Sequence, residues 1–127
     1  MNRRQAREKA FQVLFSLDNE DFNPDEAIEV SLEDAQPNDF FITLINGVVE
    51  EKEAIDQFIA KHLENWSINR IASVEKTLLR IATYEMFYQL KTPTGVAINE
   101  AVELAHIYGD EKSGKFINGV LSKMINK

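Results

Sequence analysis

The sequence contains no cysteine. Disulfides, thiolate metal ligands and thiol nucleophiles are therefore excluded, and the composition fits a reducing compartment. Its two histidines, His62 and His106, fall on separate segments with no carboxylate or second histidine at ligand spacing. No metal site or cofactor is expected from them. Proline (three) and glycine (five) are scarce and mostly punctuate periodic segments rather than interrupt them. No stretch approaches the roughly 20 apolar residues of a membrane span. Met1–Ala10 is polar and basic with no apolar run behind it, which does not read as a secretory signal. The expected location is the cytoplasm. No segment alternates strictly over two residues for long enough to predict a strand.

What is present suffices for one core. Of 127 residues, 44% are hydrophobic, which predicts a single domain over 1–127 with no staple. The net charge of −7 argues against nucleic acid until its distribution is considered. Residues 1–17 carry Arg3, Arg4, Arg7 and Lys9 against the one acid Glu8, whereas residues 18–39 carry nine acids and no base. Lysines return at Lys112, Lys115, Lys123 and Lys127. A Debye length of about 8 Å lets a local basic patch bind phosphate whatever the total charge.

The apolar spacing predicts an all-α fold. A first helix over Asn2–Leu17 places Ala6, Ala10, Val13, Leu14 and Leu17 on one stripe. Asn23-Pro24 starts a short helix over Asp25–Gln36 that buries Ile28 and Leu32. A long helix follows over Asp39–Leu63, with Gly47 inside it as a weak point or a site of close packing. Asn65-Trp66-Ser67 breaks the chain before a turn at Ile68–Ala72, and Ser73 is a candidate cap for a helix over Val74–Leu90. That helix is apolar around nearly its whole circumference and belongs at the centre of a bundle. Two more helices are expected over Val96–Tyr108 and Ser113–Ile125, separated by Gly109.

Three features carry possible chemistry. On the first helix Arg4, Arg7, Phe11 and Phe15 span roughly 80° of the wheel. Arginines neutralise phosphate, and rings stack on bases or anchor a protein. The same pattern fits rings at the edge of a wide core stripe beside solvated arginines, and the wheel does not choose. Gly109-Asp110-Glu111-Lys112-Ser113-Gly114-Lys115-Phe116 spells G-x4-G-K, but Phe116 replaces the magnesium-holding hydroxyl and the loop follows a helix, so nucleotide hydrolysis is not expected. The plainer reading is a loop with Lys112 and Lys115 beside an exposed Phe116. Glu85 shares a wheel angle with Val74, Leu78 and Ile81 and should point inward, where a carboxylate needs a partner. Arg70, Arg80 or a cap N–H are the candidates, and Glu100 reads similarly. No nucleophile–base arrangement accompanies either acid, so no catalytic residue is assigned.

Four segments in register resemble the NusB family: Arg3–Phe15 (RRQAREKAFQVLF), Val74–Met86 (VEKTLLRIATYEM), Val96–Ala105 (VAINEAVELA) and Lys115–Leu121 (KFINGVL). The resemblance covers essentially the whole chain. It implies about seven helices in two packed bundles, and a non-enzymatic transcription antitermination factor. Such a factor binds boxA RNA together with NusE, a ribosomal protein, and helps RNA polymerase elongate through ribosomal RNA operons. It also implies an RNA-contacting role for Arg3, Arg4, Arg7, Lys112, Lys115 and Phe116, and a NusE-contacting role for Phe15 and Glu75. Phe15 stands where a tyrosine is common, which removes a hydroxyl, and Lys112 stands where an acid can occur. Two other readings remain: a helical protein–protein module, and the NusB-like domain of a ribosomal RNA cytosine methyltransferase, which requires a long cofactor-binding domain after Lys127. Exposed rings on the first helix would also allow a homodimer.

Overall fold

In the computed structural model, residues 2–19, 39–64, 67–88 and 90–125 are described. The helix expected over 25–36, with Ile28 and Leu32, lies outside the described residues, as does most of the Asn65–Trp66 break. Among the described residues there are six α-helices, one 3₁₀ turn and no strand. Helix α1 spans Arg3–Asn19. Helices α2 (Asp39–Glu50) and α3 (Lys52–Ala60) follow. A 3₁₀ turn at Ile68–Arg70 leads into α4 (Ser73–Phe87). Helices α5 (Thr94–Tyr108) and α6 (Glu111–Ile125) complete the chain.

The single long helix expected over 39–63 is two helices. Glu51 adopts φ −100°, ψ 10°, outside ideal helical geometry, and separates α2 from α3. Hydrogen bonds from the Glu51 amide to the Gly47 carbonyl (2.9 Å) and from the Ile55 amide to the Glu51 carbonyl (2.8 Å) carry the chain through the joint. Phe41, Leu44, Ile45 and Val48 of α2 and Ile55 and Ile59 of α3 therefore face one core. Gly47 permits close approach: a Cβ there would collide with the Tyr84 ring of α4.

Helix α4 is the hub. Every residue from Thr77 to Met86 is buried, as its all-round apolar pattern requires. It packs against each of the other five described helices. The expected seven helices in two bundles are, among the described residues, six helices, five of them around the central α4, with one continuous core. Ser73 is the first residue of α4 rather than its cap: Ala72 holds that position, with no side-chain cap bond. Asp110 caps α6 instead, its carboxylate accepting the Ser113 amide at 2.8 Å. That bond is the main reason the Asp110 pKa lies below its ordinary value. Among the described residues no helix is long and apolar enough to cross a membrane.

Candidate nucleic-acid interface

The arginines of α1 divide by depth. Arg3 is exposed, with its guanidinium 4.6 Å from the centre of the Phe40 ring. Arg4 is the outermost of the paired arginines, its side chain 73% exposed. Its Nε and Nη2 donate to Glu100 Oε1 and Oε2 of α5 at 3.2 and 2.9 Å. That hydrogen bond, then the Glu100 charge, raises the Arg4 pKa and keeps the guanidinium firmly cationic.

Arg7 is inside. Its side chain is 5% exposed and that of Glu85 is 1%. Arg7 Nε lies 2.9 Å from both Glu85 oxygens and Nη2 lies 2.8 Å from Oε1. Nη1 reaches Glu100 Oε1 at 3.4 Å, and the Phe40 ring covers the guanidinium at 5.0 Å. Thr92 Oγ1 donates to Glu85 Oε1 at 2.9 Å. Glu85 is inward as its wheel angle requires, but its partner is Arg7, not Arg70 or Arg80. Arg80 instead grips Asp56 through Nε (2.7 Å) and Nη2 (2.8 Å) and reaches Asp18 at 3.2 Å.

The partly exposed stripe of Arg4, Arg7, Phe11 and Phe15, one of the two arrangements the wheel left open, does not form. Phe11 is 2% exposed and packs on Tyr108, with ring centres 4.7 Å apart. Phe15 is half-buried against Phe11 and the core. The reason lies in the width of the stripe. At about 100° per residue, Arg7 sits only about 20° from Leu14, well inside the apolar arc. A buried guanidinium is tolerable there because two carboxylates from other helices meet it. Sequence spacing along α1 could place Arg7 inside; it could not say which acids would arrive.

The second basic spot also changes form. The connection is only Gly109-Asp110, so Lys112 and Lys115 project from the first turns of α6 rather than from a loop, and both are exposed. Phe116 is half-buried against the core, not an exposed ring. The Tyr108 hydroxyl donates to Glu8 Oε2 and accepts from Gln12 Nε2, at 2.9 and 2.8 Å. These bonds hold the α5–α6 corner beside the middle of α1. Sequence reasoning missed Glu8, Gln12 and Tyr108 as this hinge pin, because residues about 100 positions apart carry no local signal.

Phe15 and Glu75 occupy a second region. Both are half-buried. Asp18, one turn beyond Phe15, meets Lys76, the neighbour of Glu75, at 3.7 Å. The two expected partner-contacting residues thus lie on adjoining helices linked by an ion pair. His62 is a packing residue, its Nδ1 2.9 Å from the Phe58 carbonyl and its ring edge-on to Phe58. Among the described residues no group of three or more His, Asp or Glu could hold a metal ion.

These features define a class: a protein all-helical over the described residues, whose buried charges lock helices together and which exposes cations at the starts of α1 and α6 as well as elsewhere. The chain belongs to the NusB family, whose family model matches residues 4–126. It is 54% identical over 125 residues to the transcription antitermination protein NusB of Oceanobacillus iheyensis, covering 98% of this chain and 99% of that one. The NusB of Bacillus subtilis is 48% identical over 124 residues, covering 98% and 95%. Among solved structures, one of the antitermination factors NusB and NusE in complex with double-stranded RNA matches with 35% identity and a TM-score of 0.87, covering 96% of this chain and 94% of that chain. NusB of T. maritima matches with 35% identity and a TM-score of 0.88, covering 98% and 90%.

Proposed function

We propose that this protein is a transcription antitermination factor. It binds boxA RNA jointly with NusE and acts within the complex that supports RNA polymerase through ribosomal RNA operons. The observation that carries this reading is likeness over 96% of the chain to a factor solved with NusE and RNA. Arg3, Arg4, Lys112 and Lys115 are the phosphate-facing cations, and Phe116 lines the same region from its half-buried position. Arg7 supports this surface from within. Phe15 and Glu75 form the NusE-facing region, distinct from the cations. The function is that of a binding adaptor, without catalysis.

Titration of labelled boxA RNA, with and without NusE, over a salt series tests this reading. Tighter binding than to a scrambled RNA of equal length, enhanced by NusE, is expected. Equal affinity for both RNAs refutes sequence-specific recognition. Binding of NusE with no RNA enhancement favours a purely protein–protein module. Of the α1 rings only the half-buried Phe15 could serve a homodimer, since Phe11 is buried; gel filtration of the protein alone tests self-association.

A further inference from the structure

Five polar side chains form an unbroken line from the interior to the surface. Thr92 donates to Glu85 (2.9 Å), Glu85 holds Arg7 (2.8 Å), Arg7 reaches Glu100 (3.4 Å) and Glu100 holds Arg4 (2.9 Å). Exposure is almost nil at Glu85 and Arg7, 11% at Glu100 and 73% at Arg4. The two arginines and two glutamates cancel in formal charge. Arg4 uses Nε and Nη2 on Glu100, so Nη1 and the second Nη2 proton remain available to a ligand.

We propose that Glu100 is a positioning residue for RNA: it fixes the exposed Arg4 guanidinium in a phosphate-ready orientation, anchored through Arg7 to the core. The inference rests on the reading of Arg4 as a phosphate contact. An unanchored arginine on a helix surface loses rotamer freedom when it meets a phosphate. Here that freedom is already removed in the unbound protein. The Glu100 carboxylate is itself a negative charge close to the RNA, and on charge alone its loss would strengthen binding. Positioning predicts the opposite sign, because Glu100 holds Arg4 through two hydrogen bonds and the loss of that anchoring outweighs the removal of one acidic charge.

The test measures anisotropy of a fluorescein-labelled boxA RNA with saturating NusE, across a salt series, for Arg4→Ala, Glu100→Gln and the double variant. Arg4→Ala should weaken binding and lower the salt slope by about 0.7, the value for one phosphate on a single strand. An unchanged affinity removes Arg4 from the RNA surface and overturns both readings. Glu100→Gln should weaken binding about two- to tenfold, the range for immobilising one long side chain, with an unchanged salt slope. That effect should vanish in the Arg4→Ala background. Tighter binding by Glu100→Gln, or the same loss with and without Arg4, overturns the positioning role while leaving Arg4 as a contact. Glu100→Asp, which keeps the charge but shortens the reach, should also weaken binding; wild-type affinity for it overturns the proposal even where Glu100→Gln folds poorly.

Discussion

Glu85→Gln isolates the buried charge at the centre of the fold. The carboxylate is 1% exposed and accepts from Arg7 Nε at 2.9 Å, Arg7 Nη2 at 2.8 Å and Thr92 Oγ1 at 2.9 Å. Glutamine keeps the shape but turns an amide donor toward guanidinium donors. Breaking a buried pair by neutralising one partner costs about 3–5 kcal/mol, because the other charge is left uncompensated. Arg7 retains Glu100 at 3.4 Å, which places the loss at the low end, about 3 kcal/mol. Urea unfolding measures it. With a slope of about 1–3 kcal/mol per molar urea, the midpoint should fall by about 1 M or more at unchanged slope. The double change Arg7→Met with Glu85→Leu replaces the pair by apolar side chains and should recover most of the loss, since buried pairs rarely outperform hydrophobic replacements. A loss below about 1 kcal/mol for Glu85→Gln would refute the claim that this charge is desolvated and dependent on its partner.

Two further outcomes follow from the packing and charge of α4. Gly47→Val drives a branched side chain into the buried Tyr84 ring and should destabilise by about 2–3 kcal/mol, read as a lower thermal midpoint; an unchanged midpoint would mean that the ring moves freely. Asp18 accepts from Arg80 (3.2 Å) and lies near Lys52 (3.6 Å) and Lys76 (3.7 Å). Burial pushes its pKa up, but the Arg80 hydrogen bond and the three positive charges outweigh burial, and the net shift is downward. A carboxyl with a depressed folded pKa adds stability above its unfolded value, about 3.9, and that stability is lost as pH falls through the folded pKa. Asp18→Asn should therefore be less stable than wild type at neutral pH and show a shallower decline below about pH 4. Parallel curves for the two proteins would exclude Asp18 from the acid response.

The helices themselves were legible because helix formation is a local, periodic property. Apolar residues every three or four positions marked α1, α4, α5 and α6 within a few residues of their observed bounds. The central place of α4 was visible too, since a helix apolar all round has no face to offer water. The break at Glu51 was not, because neither proline nor a cap marks it. The inward direction of Glu85 was readable from its wheel angle, but its partner was not. Arg7 and Glu85 are separated by 78 positions, and nothing local distinguishes Arg7 from Arg70 or Arg80 as the cation that reaches it.

By itself, then, the sequence determined helical class, the identity of the central helix, the absence of thiol chemistry and the family. Periodicity and composition act over a few residues or over the whole chain, and both scales are written in the order of amino acids. Only the tertiary structure decided which acids meet these cations, and so made burial of Arg7 tolerable. Arg4 and Arg7 lie three residues apart on one helix and carry the same charge. One faces solvent and the other is desolvated, because α5 brings Glu100 and α4 brings Glu85 to the same side of α1. Burial of a charge depends on what other helices deliver to it, and that is a property of packing rather than of the chain that carries the charge.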